Sequence, residues 1–125
     1  MIVGIGTDIV DVDRIQGVYK RQGEAFAKRL LSEYEWSRFA NHLFPERFLA
    51  KRWALKEAIS KALGTGIAQG VSFHDMTIKH HGSGQPYLSL SGEALVRSDA
   101  LGICSWSISV SDEKTHAVAF AVAER

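Results

Sequence analysis

The stretch "FLAKRWALKEAISKALGTGI", residues 48–67, contains the clearest helical pattern in the chain. Pro45 stands near the start of this pattern and Gly64 lies just past its end, an asymmetry typical of helix termini. Wound at about 100° per residue, the segment places apolar or small side chains on two sides, so we expect a helix that is largely buried or lies at an interface. Glu57 falls among these side chains, and its carboxylate therefore needs a cation or hydrogen-bond donors.

A second carboxylate lies in "VGIGTDIVDV", residues 3–12, which alternates as a β-strand. The alternation places Asp8 on the same face as Gly4 and Gly6. Because glycines have no side chains, we expect them to leave room for a ligand beside this carboxylate.

Each carboxylate also has a purely structural interpretation. Glu57 precedes Lys61 by four residues, the favourable order for an ion pair along a helix, and Asp8 can cap the turn after its strand. Together the two carboxylates indicate instead a site for Mg²⁺, which is typically held by one or two carboxylates with waters and phosphate oxygens. The residues alone leave these interpretations open.

The flanking segments predict an α+β fold in which a small, mostly antiparallel sheet packs with several helices in one domain, residues 1–125. The spacing of Ser32 and Glu35 matches a capping box and predicts a helix with Leu43 on its inner side. Strands are predicted at 76–80, 86–91, 104–112 and 116–124, and further helices after Asp11 or Asp13, at 24–31 and at 91–101.

Composition narrows the classes of protein to consider. A hydrophobic fraction of 46% with 23% charged residues is that of an ordinary soluble domain, and no apolar run approaches a membrane span of about 20 residues. The net charge of +1 favours neither nucleic acid nor a membrane surface as a partner. No secretory signal is recognisable, so we expect a cytoplasmic protein, and the spacing of the five histidines argues against zinc.

Three stretches together resemble the motifs of a known family. They are "GIGTDIVDVDRI" (4–15), "RFLAKRWALKEAISKALGTGI" (47–67) and "SISVSDEKTHAVAFAV" (107–122). In order and spacing they are similar to the signature regions of holo-[acyl-carrier-protein] synthase, the small bacterial 4'-phosphopantetheinyl transferase. The resemblance spans essentially the whole chain.

This resemblance implies the 4'-phosphopantetheinyl transferase fold and a reaction of fatty acid biosynthesis. In the family, 4'-phosphopantetheine passes from coenzyme A to a serine of apo acyl carrier protein, and adenosine 3',5'-bisphosphate is released. The expected cofactor is Mg²⁺, the expected partners are coenzyme A and acyl carrier protein, and the expected assembly is a homotrimer with active sites between subunits.

Roles for individual residues follow from the same resemblance. Asp8 and Glu57 are the expected Mg²⁺ ligands and, with Lys61, the catalytic residues. Lys61 is suited to neutralise the pyrophosphate, and Arg52 offers a forked donor for the 3'-phosphate end of coenzyme A. The alternative for both cations is simple solvation on the helix surface.

Two glycine-containing turns resemble parts of the cofactor pocket. Gly64, Thr65 and Gly66 end the long helix, where backbone N–H groups could approach a phosphate, and Pro86 follows the turn "GSG". A helix C-cap and a hairpin turn explain these residues equally well. The chain departs from the family pattern at Asp112, where many relatives carry histidine.

A basic edge on the helix after the first strand is the expected docking surface for acyl carrier protein. Arg14, Lys20 and Arg21 form this edge, and ordinary solvation of an amphipathic helix explains the same charges. Two other functions remain open at this point. One is a non-catalytic module that docks an acidic protein or nucleic acid, and the other is a Mg²⁺-dependent phosphohydrolase acting on another ester.

Overall fold

A computed structural model describes residues 1–125. Its elements are β1 Ile2–Asp11, α1 Val12–Gln22, α2 Glu24–Leu30, α3 Glu33–Phe39, α4 Pro45–Ala62, β2 Met76–His80, β3 Pro86–Leu90, α5 Gly92–Ala100, β4 Ser105–Asp112 and β5 His116–Glu124. None of the helices combines the length and apolar character that crossing a membrane requires.

The strands form two antiparallel sheets. The larger has the order β1-β5-β4, with Asp8 opposite Ala119 in the register between β1 and β5. The smaller is the hairpin of β2 and β3, whose strands pair only with each other. The predicted α+β fold is confirmed, with two separate sheets where the sequence suggested one.

Helix α4 packs directly on β1 through the two glycines of that strand. A Cβ atom at Gly6 would lie 1.8 Å from the carbonyl oxygen of Ala58, and one at Gly4 would lie 2.1 Å from that of Ala62. The space beside the glycines is therefore filled by the backbone of α4, and the expectation that it accommodates a ligand is wrong. This close approach brings Asp8, two residues after Gly6 on the same face, against the helix.

The capping box before α3 is confirmed, but the helix is shorter than predicted. Ser32 Oγ accepts from the backbone N–H of Glu35, whose carboxylate accepts from the N–H of Ser32. The helix ends at Phe39, so Leu43 lies in the following loop with 86% of its surface exposed. The prediction that Leu43 faces the core is wrong because the helical spacing does not continue past that end.

Candidate active site

Asp8 and Lys61 form an ion pair where β1 packs on α4. Lys61 Nζ lies 3.2 Å from Asp8 Oδ1 and donates a hydrogen bond of 3.0 Å to the carbonyl oxygen of Thr7. Lys61 therefore pairs with the strand and not, along its own helix, with Glu57. The alternative prediction, an i, i+4 ion pair between Glu57 and Lys61, is therefore wrong.

The second oxygen of the Asp8 carboxylate has no partner. Oδ2 is buried and makes no hydrogen bond. An ionised oxygen in that position is costly unless a cation or a donor compensates it. The strand thus presents an unsatisfied anionic oxygen beside α4.

Glu57 lies close enough to Asp8 for the two carboxylates to repel each other. Partial burial, followed by the charge of Asp8, raises the pKa of Glu57, while the charges of Lys61 and Arg14 act in the opposite direction. No cation forms a salt bridge with the Glu57 carboxylate. Two neighbouring carboxylates, one with an orphaned oxygen, have the chemistry of a site for a hard cation.

The donor set fits Mg²⁺ better than a metal that needs many protein ligands. No group of three or more His, Cys, Asp or Glu side chains is assembled anywhere in the chain. Mg²⁺ commonly takes one or two carboxylates and completes its shell with waters and phosphate oxygens. Asp8 and Glu57 would supply that number of protein ligands.

The loop after α4 uses its backbone N–H groups to cap the helix. Thr65 and Gly66 donate to the carbonyl oxygen of Ser60, and Gly64 donates to that of Lys61. The two glycines have φ of 80° and 64°, in the left-handed region. The sequence expectation of free N–H groups for a phosphate is not met, since all three are engaged within the helix terminus.

Arg52 lies in the interior of the protein and not on a solvated surface of the helix. Its Nε lies 3.0 Å from Glu35 Oε2, and 6% of its side chain is exposed. The alternative of simple surface solvation is wrong for this residue. Sequence reasoning gave Glu35 only a capping role and gave Lys56 none, although a lysine on the buried side of an apolar helix is a sign that a buried anion accompanies it.

Pro86 is placed apart from the carboxylates. It begins β3 and pairs with His80 across the hairpin, within the sheet that does not contain Asp8. Within one chain the structure therefore brings Asp8, Glu57 and Lys61 together and leaves Pro86 outside this group.

The basic edge of α1 begins beside this site. The guanidinium carbon of Arg14 lies 5.7 Å from the centre of the Trp53 ring, and its charge acts on Glu57. Lys20 and Arg21 lie exposed in the last turn of the same helix. Arg14 is thus near the carboxylates, and the other two cations extend the edge away from them.

Comparison with known proteins identifies the family to which the chain belongs. Residues 4–121 match the family model described as the 4'-phosphopantetheinyl transferase superfamily. The chain belongs to this superfamily. The match includes Asp8 and Glu57 and most of both sheets.

Relatives and solved structures of this superfamily match the chain over nearly its full length. A holo-[acyl-carrier-protein] synthase of Hydrogenovibrio crunogenus is 56% identical over 124 residues, covering 99% of this chain and 98% of the relative. The crystal structure of the synthase from Neisseria meningitidis covers 100% of both chains with a TM-score of 0.93 and 44% identity. The synthase of Helicobacter pylori, solved in complex with coenzyme A, has a TM-score of 0.83 and 36% identity, covering 96% of this chain and 99% of that one.

Proposed function

We propose that the chain transfers 4'-phosphopantetheine from coenzyme A to a serine hydroxyl of apo acyl carrier protein. The observation that carries this proposal is the meeting of Asp8, Glu57 and Lys61 within a fold that matches holo-[acyl-carrier-protein] synthases from end to end. The products are holo acyl carrier protein and adenosine 3',5'-bisphosphate. We propose that the reaction takes place in the cytoplasm.

In this reaction the serine oxygen bonds to the β-phosphorus of coenzyme A, and the bond from that phosphorus to the bridging oxygen breaks. The electron pair leaves with the bisphosphate, and the proton of the hydroxyl passes to a base. When bound, Mg²⁺ would neutralise charge at the pyrophosphate. Asp8 and Glu57 would hold the ion, and Lys61 would exchange its contact with Asp8 for the phosphate chain.

Calorimetry separates this function from the two alternatives. The transferase should bind coenzyme A, and more tightly with Mg²⁺ present, because the carboxylates hold the ion against the phosphates. A docking module would bind neither ligand. A phosphohydrolase would cleave another phosphate ester and would need no acyl carrier protein, which a parallel assay of phosphate release without the carrier protein detects.

Lys61→Ala should lower turnover and coenzyme A affinity by about tenfold or more while changing stability little. A contact between an ammonium group and a phosphate is charge-assisted, whereas the pair with half-exposed Lys61 contributes about 1 kcal/mol or less to folding. Lys28→Ala is a matched control, because Lys28 forms an exposed ion pair with Glu24 at 3.7 Å and lies on another helix. A large drop in melting temperature with unchanged kinetics for Lys61→Ala would show that its role is structural.

Arg21→Glu should raise the KM for acyl carrier protein and leave coenzyme A binding intact. Arg21 is exposed at the far end of the basic edge, so reversing its charge avoids the direct effect on Glu57 that Arg14 has. The dependence of kcat/KM on salt should flatten, since exposed charges are screened beyond about 10 Å at 0.1 M ionic strength. Lys114→Glu, in the turn between β4 and β5, makes the same change in net charge and controls for it. Equal KM values for both variants would remove α1 from the docking surface.

We further propose that the protein assembles as a homotrimer through the outer face of the larger sheet. This face exposes Ile5, Ile9 and Phe120, and more than half of the surface of each residue is open to solvent. An apolar face of this kind on a soluble domain marks a surface that a second copy can cover. Flanking this face, the outward side chains of β4 are serines, small enough to permit close approach.

Phe120→Asp should dissociate the assembly, because a charge would replace an aromatic ring at the interface. Light scattering at micromolar concentration should give about three times the chain mass for the parent and a smaller mass for the variant. Ser105→Asp, at the edge of the same face, tests whether any added charge has this effect. A parent that scatters as a monomer while active would contradict sites shared between subunits.

A further inference from the structure

Lys56, the residue before Glu57 on α4, is fully buried and uses every donor of its ammonium group. Its Nζ donates to Glu35 Oε1 at 2.6 Å and to the carbonyl oxygens of Leu30 at 2.7 Å and Phe73 at 3.1 Å. An ammonium group has three N–H donors, so each of them has an acceptor. None of the side chain is exposed. Lys56 and its three acceptors therefore form an anchor inside the protein.

The acceptors of this anchor come from three different segments. Leu30 is the last residue of α2, Glu35 lies in α3, and Phe73 opens the 3₁₀ turn Phe73–Asp75 before β2. Glu35 is itself held in place, because the backbone N–H groups of the capping box and of β2 donate to its carboxylate. The anchor thus fixes the side of α4 on which Lys56 lies.

The nearly opposite side of α4 is fixed by β1. The carbonyl oxygens that approach the glycines of the strand belong to Ala58 and Ala62. At about 100° per residue, Lys56 and Ala58 project about 160° apart around the helix axis, and Glu57 lies about 100° from each. Glycine and alanine have no long side chains to interlock, so this contact sets the distance between strand and helix more than the rotation of the helix.

The rotation of α4 decides how closely Glu57 approaches Asp8. Side-chain ends lie about 6 Å from a helix axis, so a rotation of about 10° moves the Glu57 carboxylate by about 1 Å. A displacement of that size is enough to impair a catalytic or metal-binding arrangement. Glu57 forms no salt bridge, so the setting of the helix places its carboxylate.

We propose that Lys56 is a positioning residue, which sets the rotation of α4 and so holds Glu57 beside Asp8 as the second ligand of the metal ion. This inference rests on the proposed function, because it takes these two carboxylates as the ligands. Lys56 and Glu57 are consecutive residues within one helix, so no flexible segment separates the anchor from the ligand. Lys56 acts through the helix and contacts neither the ion nor a substrate.

The test is Lys56→Met, which keeps an unbranched apolar side chain and removes the three donors. Mn²⁺ is the probe, since it takes the same oxygen ligands as Mg²⁺, and electron paramagnetic resonance follows its binding to the protein in saturating coenzyme A. The dissociation constant of Mn²⁺ should rise about tenfold, the lower end of the cost of losing a group that orients a metal ligand. The affinity for coenzyme A without metal should stay at the parental value.

Ile103→Ala is the control for lost stability, because Ile103 is buried between α5 and β4 and belongs to none of the segments of the anchor. Both variants should melt below the parent, since Ile103→Ala leaves a cavity and Lys56→Met leaves two buried carbonyl oxygens without this donor. Only Lys56→Met should weaken the binding of Mn²⁺. If Lys56→Met does not fold, Lys56→Gln retains an amide donor, and its Mn²⁺ affinity should fall in the same direction.

Parental Mn²⁺ affinity in the folded Lys56 variant would overturn the role of Lys56 and leave the transferase function standing. Equal losses of Mn²⁺ affinity in the Lys56 variant and in Ile103→Ala would also overturn it, because the effect would then follow stability alone. A parent protein that binds neither coenzyme A nor Mn²⁺ would overturn the proposed function.

Discussion

Asp8→Asn and Glu57→Gln should each abolish phosphopantetheine transfer and still give a folded protein. A neutral amide is a far weaker ligand for a hard cation than a carboxylate, and the site has only two protein carboxylates to offer. We expect kcat/KM, measured with each substrate below its KM, to fall by at least about a thousandfold, or about 4 kcal/mol of transition-state stabilisation.

Although Glu57→Gln should abolish transfer, it should not lower the stability of the folded protein. Burial and the charge of Asp8 raise the pKa of Glu57 in the folded chain, so ionised Glu57 disfavours folding relative to the unfolded chain. That penalty is absent below the unfolded pKa and develops as the pH rises through the folded pKa. At neutral pH without Mg²⁺, the variant should melt at the same temperature as the parent or above it.

Glu46→Gln is the control for these variants, because Glu46 is a carboxylate in the first turn of the same helix and lies in no ion pair. It should transfer phosphopantetheine at the parental rate. Full activity of Asp8→Asn or Glu57→Gln at limiting Mg²⁺ would show that these carboxylates do not hold the ion.

Gly6→Ala should destabilise the protein by about 3 kcal/mol or more, the upper end of the cost of overpacking a core. The new Cβ would lie 1.8 Å from the Ala58 carbonyl oxygen, and a backbone atom within a helix cannot move aside as a flexible side chain can. Since α4 would have to withdraw from β1, Asp8 and Glu57 should separate and transfer should fall with stability.

Gly82→Ala provides the comparison for this variant, because a Cβ atom at Gly82 meets nothing within 4 Å. Thermal melting should show a drop of about 10 °C for Gly6→Ala and little change for Gly82→Ala. Equal melting temperatures for the two variants would mean that the close packing of β1 on α4 does not determine stability.

The sequence predicted local elements well because their signals are local. The helix from Pro45, the capping box at Ser32 and the strands at 76–80 and 116–124 depend on periodicity and on terminal residues a few positions away. The carboxylates could also be singled out, since Glu57 stands among small and apolar residues and Asp8 shares a face with glycines.

Contacts between distant segments could not be predicted in the same way. The glycines of β1 allow close packing of the α4 backbone, which lies some fifty residues further along the chain. The alternating pattern of the strand predicts open space beside the glycines but does not show whether a helix or a ligand fills it. Glu35 and Lys56 meet across 21 residues of sequence, so neither helix alone reveals their pairing. The N–H groups after α4 were open to either interpretation until their carbonyl partners were known.

The central claim is tested most directly by the intact mass of acyl carrier protein after incubation with this protein, coenzyme A and Mg²⁺. Transfer predicts a gain of about 340 Da, the approximate mass of the phosphopantetheine group. The gain should be absent when the acceptor serine is replaced by alanine and when Mg²⁺ is chelated. An unchanged carrier-protein mass with folded protein and both substrates present would contradict the account.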